Sequence, residues 1–397
     1  MCAFFFIPRN DLAMMPTKNA KDSARSSMTE TADATFSGTG ETPDHLKFDE
    51  ARLGAYLADT LSGFSGPLTV KKFKGGQSNP TYLLETPGRS YVLRRKPPGK
   101  LLKSAHAVDR EYRVMTALGR QNYPVPQTYL LCEDETIVGT PFFVMEHVDG
   151  RIFWDATTPQ LSKPDRTALY LSMADTIADL HTTNIEAAQL TDYGKHGAYF
   201  SRQISRWSGQ YKESETDQID AMDHLIKWLP HHVPAGDETV IVHGDFRLDN
   251  LIVHPTKPKI LAVLDWELST LGHPLADFTY FLMTWNFPTS VRGGLSGLDL
   301  GAIGIPTIEA MTDRYCQRTG RADLLSNPAA VNFCFAYNMF RLAAIAQGVY
   351  KRGLQGNASS DQSTKIAAQI PALASLGWMY AQKAGAPGSP LPRHSPA

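Results

Sequence analysis

Cysteine is scarce in this 397-residue chain, and the four that occur, Cys2, Cys132, Cys316 and Cys334, lie far apart with no CxxC pair. That spacing argues against both a disulfide framework and a cysteine zinc site, and it fits a reducing compartment. No stretch approaches the roughly 20 apolar residues that cross a bilayer. The richest run, Phe278 to Trp285, follows Asp277 and stops at Asn286-Phe287-Pro288. An excess of one charge sign is also missing, because 39 Lys+Arg stand against 40 Asp+Glu for a formal net charge of -1. No global field draws the chain to nucleic acid or an anionic membrane, so any bound anion must be held locally. No internal repeat is visible. What remains is an ordinary globular composition, 42% hydrophobic and 20% charged, with length for two core-forming units.

From Pro16 to about Asp44 the chain is mostly Ser, Thr, Glu, Ala and Gly without apolar periodicity, so residues 1–46 read as a disordered leader. Residues 385–397 read as a flexible tail. Phe4-Phe5-Phe6-Ile7 is too short for a secretory apolar region of roughly 7 to 15 residues. Arg9, Lys18, Lys21 and Arg25 would suit a mitochondrial presequence, but Asp11 and Asp22 weigh against it. A cytoplasmic location is expected, with mitochondria the lesser alternative.

A helical stretch at Phe48 to Leu61 precedes three β-like runs, Leu68 to Phe73, Thr81 to Thr86 and Ser90 to Arg95. Gly75-Gly76-Gln77-Ser78-Asn79 and Pro87-Gly88 turn the chain between them, as in an antiparallel meander. A helix follows from Ala105 to about Arg120, with Val108, Tyr112, Met115 and Leu118 on one face and Glu111 inside that face. Two further runs, Gln127 to Cys132 and Pro141 to Met145, complete a small α+β lobe over residues 47–145. Residues 146–150 break the pattern, and 151–384 are mainly helical, including Asp165 to His181 and Ala329 to Arg352.

One β-rich patch interrupts the helices. Thr239 to Val242 leads into His243-Gly-Asp-Phe-Arg-Leu-Asp-Asn250, then a hairpin that ends at Asp265. Residues at the open ends of an antiparallel hairpin lie side by side, about 5.5 Å apart, so Asn250 and Asp265 converge as oxygen donors suited to Mg²⁺. Asp245, Arg247 and Asn250 have the offsets of a kinase catalytic loop: base, γ-phosphate contact and metal ligand. A carboxylate on an apolar helix face needs a partner, and strand alternation puts Val92 and Arg94 on one face, which makes Arg94 the partner of Glu111. Arg95, on the opposite face, reads as a solvated charge.

His243-Gly-Asp-x4-Asn250, Asp265-Trp266-Glu267 and Asp277, in this order, resemble the aminoglycoside phosphotransferase family, and the resemblance extends over roughly residues 47–380. Tyr91-Val92-Leu93-Arg94 with Arg95 to Lys100 is most similar to the kinase domain fused to certain acyl-CoA dehydrogenases. The resemblance implies a protein-kinase-like two-lobe α+β fold and a small-molecule kinase that uses Mg²⁺ and ATP. Its acceptor would be a hydroxy acid or an acyl-CoA ester of one. It implies that Gly76, Ser78 and Asn79 lie over the ATP phosphates, that Arg94 stands at the position of the usual lysine beside Glu111, and that Val92 lies with the nucleotide. Met145, Glu146 and Val148 would form the hinge that meets adenine, and His243 and Asp277 would brace the loop.

The acceptor site is the least legible part. Tyr337, Arg341, Ala344, Ile345 and Gly348 share a helix face, where Arg341 is either a structural ion partner or a clamp for an anionic acceptor. Between Ala329 and Arg352 the charged residues are Arg341, Lys351 and Arg352, which favours an anion over a polycationic antibiotic. Tyr280 and Trp285 either form the apolar wall of a pocket or pack the C-lobe, with packing favoured; His181 reads as a packed helix end, and His231 and His232 as a solvated loop. The rivals are a pseudokinase, an aminoglycoside kinase, and a protein kinase, for which an activation segment is missing. An H-x-D metal site for hydrolysis lacks a second ligand pair. Oligomeric state leaves no signal in the sequence.

Overall fold

The computed structural model describes residues 37–75, 79–99, 106–289, 294–321, 326–354 and 366–387. Residues 1–36 of the expected leader, Gly76, Ser78 and tail residues 388–397 lie outside this set. The N-terminal lobe is built on a six-stranded antiparallel sheet in the order β1-β2-β3-β4-β6-β5. Its strands are β1 (Thr39–Gly40), β2 (Thr69–Phe73), β3 (Thr81–Glu85), β4 (Ser90–Arg95), β5 (Thr128–Cys132) and β6 (Phe142–Glu146). Five of these match the sequence reading. The sixth corrects it: β1 comes from the segment assigned to the leader and pairs with β2 at Thr39↔Phe73 and Gly40↔Lys72. Ordered structure therefore begins before residue 47. Leu46 is part of it, since its carbonyl accepts from the Tyr82 hydroxyl and from Arg95.

β4 sits between β3 and β6, and its alternating side chains divide two cores. Tyr91 and Leu93 face a small core shared with Leu53 and Leu57 of α1 (Glu50–Thr60), Tyr82, Phe142 and Val144. Val92 faces the opposite side with Val114, Leu118 and Phe143, beneath α2 (Val108–Arg120), and this core continues into the helical lobe. Arg95 falls on the first side and is 2% exposed, which corrects its reading as a solvated charge. Its guanidinium donates to the carbonyls of Val138 and Leu46 and lies 5.1 Å from the Phe48 ring centre. Backbone carbonyls and aromatic faces thus replace its hydration.

The C-terminal lobe contains α3 (Lys163–Thr182), α4 (Tyr199–Ser214), α5 (Asp220–Trp228), α6 (Pro274–Asn286), α7 (Ile308–Thr319), α8 (Pro328–Arg352) and α9 (Ile370–Lys383). Leu169, Met173, Ile177 and Leu180 of α3 are buried, as their spacing requires. Among the described residues α8 alone is long and apolar enough to cross a membrane, contrary to the sequence reading, but 78% of that window is buried inside the protein. It is the central helix of the lobe, packed on α4, α6 and α9. Two short antiparallel pairs flank the catalytic segment: β7 (Val240–Val242) with β10 (Thr270–Gly272), and β8 (Leu251–Val253) with β9 (Ile260–Val263). The hairpin was expected. The strand at Thr270 was not, since three residues carry too little periodicity to be read.

Replacing Arg95 by Met should lower stability by about 2–3 kcal/mol, because two buried carbonyls lose a charged donor. Lys71→Ala, at an exposed pair with Glu85, should change it by less than about 0.5 kcal/mol. Urea unfolding at pH 7 measures both; equal effects would remove the structural role assigned to Arg95.

Candidate active site

The loop between β7 and β8 is fixed from beneath by one carboxylate. Asp277, in the first turn of α6, accepts from the backbone N–H of His243 at 2.7 Å and of Gly244 at 2.8 Å, while His181 Nε2 lies 3.2 Å away. Burial alone would push Asp277 up, but these donors win and hold it below the usual carboxylate range. Gly244 has φ +82, and a Cβ there would come within 2.8 Å of the Leu268 carbonyl, so only glycine fits. His243 spans the other side, with Nε2 2.9 Å from the Leu264 carbonyl and Nδ1 accepting from the Asp245 N–H at 3.2 Å. Both bracing residues implied by the resemblance occupy that role. His181, read as a packed helix end, is indeed buried and also joins the brace.

Asp245 projects from this loop and is 4% exposed. Arg247 Nε lies 3.1 Å from Asp245 Oδ1, and Arg247 Nη2 lies 3.0 Å from Asp249 Oδ2. Asn250 Nδ2 donates to the Asp245 carbonyl at 2.9 Å and to Asp245 Oδ2 at 3.2 Å. The hairpin brings Asp265 alongside, with Leu264 N–H donating to the Asn250 carbonyl at 2.8 Å. Asp265 itself has φ +65, a strained conformation for a non-glycine residue that aims its side chain across the lobe boundary.

From the N-terminal lobe Arg94 meets that side chain. Its Nε lies 2.9 Å from Glu111 Oε2 and its Nη2 2.6 Å from Asp265 Oδ1, so one guanidinium joins β4, α2 and the hairpin end. Asn79 Nδ2 donates to the second Glu111 oxygen at 2.7 Å. Burial pushes Glu111 up to about 7, and Asp265 and Glu267 add to that push while Arg94 pulls back. Val92 and Met145 lie next to each other across β4 and β6 and are buried, and Glu146 ends β6 with its N–H on the Gln127 carbonyl. Val148 follows in the connection to the helical lobe, outside helix and strand.

The acceptor residues assigned from sequence do not form a site. Tyr337 is fully buried, 5.3 Å from the Phe200 ring, where no substrate can reach it. Arg341 is 6% exposed, and its Nη2 donates to the Gly244 carbonyl at 2.8 Å, which makes it a support of the catalytic loop. The open space lies elsewhere. A cavity beside the loop has an apolar wall of Phe153, Trp154, Met173, Phe281, Trp285 and Phe287, and a polar end formed by Arg247, Asp249 and Tyr280. Tyr280 Oη donates to Asp245 Oδ1 at 2.5 Å. Tyr280 and Trp285 are buried in the core, as the favoured reading had it, and they also line this cavity, the alternative reading. One signal was present: Tyr280 stands three residues after Asp277, on the helix face that already holds the loop.

The model of the phosphotransferase enzyme family matches residues 69–310. The chain belongs to that family. Human acyl-CoA dehydrogenase family member 11 is 43% identical over 346 residues, 86% of this chain and 44% of that protein, so the chain spans less than half the length of this relative. A Ralstonia eutropha protein of known structure, named provisionally as an aminoglycoside phosphotransferase, is 49% identical, with a TM-score of 0.77 over 85% of this chain and 99% of its own. The choline kinase of Cryptosporidium parvum is 15% identical, with a TM-score of 0.57 over 84% of this chain and 95% of its own, and shows the shared kinase-like fold alone. The chain is thus a member of the phosphotransferase enzyme family with a kinase-like fold, as the motif order implied.

α6 carries both Asp277 and Tyr280, and its start depends on a neutral imidazole. His273 Nδ1 accepts from the Leu275 N–H at 3.2 Å, and burial pushes His273 down to about 4. A histidine with a lowered folded value contributes stability above its unfolded value, about 6.5, and loses it as pH falls toward 4. His273→Asn keeps a capping oxygen without a titrating ring. Urea unfolding at pH 7 and 4.5 should show a smaller acid loss in the variant, by on the order of 1–2 kcal/mol. An unchanged acid loss would count against this role.

Proposed function

We propose that this chain transfers the γ-phosphoryl group of ATP, with Mg²⁺, to the hydroxyl of a hydroxy acid or a hydroxyacyl-CoA. The observation that carries this reading is the cavity that shares Arg247 and Tyr280 with the surroundings of Asp245. It puts an aromatic, apolar wall beside the group that would accept the hydroxyl proton. A hydrocarbon chain bearing a hydroxyl suits that wall, whereas a polycationic antibiotic needs a pocket rich in carboxylates. The identity to an acyl-CoA dehydrogenase family protein over most of this chain supports the same acceptor class.

Asp265 and Asn250 fit Mg²⁺ by their donor chemistry. Asp265 supplies a carboxylate that is partly open, and Asn250 spends its amide nitrogen on Asp245, which leaves its oxygen as the ligating atom. When bound, Mg²⁺ supplies charge for the β- and γ-phosphates. Asp245 orients the acceptor hydroxyl and receives its proton, Arg247 stands where transferred charge develops, and Arg94 offers a cation at the α- and β-phosphates. Asn79 acts from beneath, by holding Glu111 beside Arg94. Met145, Glu146 and Val148 line the adenine side. With Asp245, Asn250 and Asp265 all in place, turnover is favoured over a pseudokinase. A cytoplasmic location is part of this proposal and is open to test by fractionation; partners other than the small-molecule acceptor are not invoked.

The test is ATP consumption with Mg²⁺ across hydroxy acids, hydroxyacyl-CoAs and kanamycin, with phosphorylated product identified by mass. Turnover should appear with the acyl substrates and fall by more than about 100-fold in Asp245→Asn. Product formed with kanamycin alone would overturn the acceptor class. Asp265→Ala should abolish the Mg²⁺ dependence of nucleotide binding measured by calorimetry, and Asn250→Ala should weaken it less. Arg341→Met should lower kcat and melting temperature while acceptor KM stays within about twofold, since Arg341 holds the Gly244 carbonyl. A selective rise in acceptor KM would restore it as a substrate clamp.

A further inference from the structure

One cation and two hydrogen-bond donors converge on the Asp245 carboxylate. Arg247 and Asn250 belong to the loop itself, but Tyr280 arrives from α6 and places its hydroxyl 2.5 Å from Oδ1. The helix that delivers it is fixed in turn by α8. Asn338 Nδ2 donates to the Ala276 carbonyl at 2.9 Å and to Thr279 Oγ1 at 3.0 Å. One turn further along α8, the Arg341 guanidinium lies 5.3 Å from the centre of the Tyr280 ring while donating to Gly244. Loop and tyrosine are therefore aligned by the same helix. Tyr280 is 5% exposed and stands at the polar end of the cavity, between Asp245 and the aromatic wall.

We propose that Tyr280 is a positioning residue that keeps Asp245 for the acceptor hydroxyl and denies it to water, a role that rests on the phosphoryl-transfer reading above. In the transfer, the acceptor O–H bond breaks and its oxygen bonds to the γ-phosphorus as the bond from phosphorus to the bridging oxygen breaks. The electron pair of that bond leaves with ADP, and the proton passes to Asp245 and then to solvent. A water molecule at the same place would complete an identical step and waste the nucleotide. The Tyr280 hydroxyl occupies a lone pair of Oδ1 that solvent would otherwise take, and it fixes the plane of the carboxylate. Its ring meanwhile continues the cavity wall, so the carbon chain of an acceptor packs beside the hydroxyl it presents.

Tyr280→Phe removes the hydroxyl and keeps the ring, and two rates on the full chain decide the matter. With the best acceptor of the panel, kcat should fall about 10- to 100-fold, the scale of one lost charge-assisted hydrogen bond. Without acceptor, hydrolysis of Mg²⁺-ATP should rise severalfold, with ATP KM and melting temperature near wild type. A purely structural tyrosine would lower both rates together, and that result, or two unchanged rates, overturns the proposal. If the wild-type chain phosphorylates nothing in the panel, the functional reading fails separately. The acceptor-free rate then decides the role of Tyr280 alone: a rise supports it, and no rise overturns it.

Discussion

The two backbone N–H groups that Asp277 holds are the constraint on which the catalytic geometry depends. A buried carboxylate without partners would take up a proton and lose its acceptors, so the donors from His243, Gly244 and His181 sustain the charge that holds them. The exchange is mutual. The loop cannot move without exposing an uncompensated charge, and α6 cannot shift without releasing the loop. Glycine at 244 lets the backbone turn in the space left by Leu268, and Arg341 closes the circuit through the Gly244 carbonyl. Asp245 is thereby placed by buried backbone contacts rather than by its own rotamer preferences.

Arg94 performs the corresponding task between lobes. A lysine at this position would present one ammonium, whereas the planar guanidinium reaches Glu111 through Nε and Asp265 through Nη2 together. The carboxylates around it sustain its charge against burial. The cost falls on Glu111, which burial and its acidic neighbours drive upward. A nucleotide that draws Arg94 toward its phosphates would loosen one of these two contacts, so the strength of the grip and the freedom of Asp265 are coupled through one side chain.

What was legible in the sequence follows from how each contact is encoded. Asp245, Asn250, Asp265 and Asp277 were readable because their spacing along one loop, one hairpin and one helix start is nearly fixed by the backbone. The Arg94–Glu111 pair was readable because alternation along β4 and periodicity along α2 each isolate one charged residue in an apolar setting. Arg95 was misread by the same rule, since alternation tells which face a residue takes and not whether that face is covered. The cover comes from α1 and from Leu46, distant in sequence. Tyr337 and Arg341 were assigned to the acceptor for want of any local signal that α8 is buried on all sides. The cavity was illegible for a related reason: Phe153, Met173 and Trp285 come from three separate segments, and only tertiary packing assembles them. Short β1 and β10 escaped because two or three residues have no period.

Charge around the centre bears on how a nucleotide could enter. Asp245, Asp249, Asp265, Glu111 and Glu267 gather near Arg94, Arg247 and Arg341, five carboxylates against three guanidiniums. Burial raises Glu111 and Glu267, and a proton retained by either one would temper the excess without reversing it. The polyphosphate of ATP would meet like charge at Asp265 and Asp245, and at the few ångströms involved such repulsion outweighs an exposed ion pair. A divalent cation at Asp265 and Asn250 removes that obstacle at the point where it is greatest. The electrostatics thus support the proposed dependence on Mg²⁺, as the ligand types do. The cavity lining carries no equivalent excess, because its charged residues are Arg247 and Asp249, one of each sign, paired at 3.0 Å. That balanced lining lacks the carboxylate-rich surface a polycation needs, and under the proposed function the apolar wall behind it would suit a carbon chain.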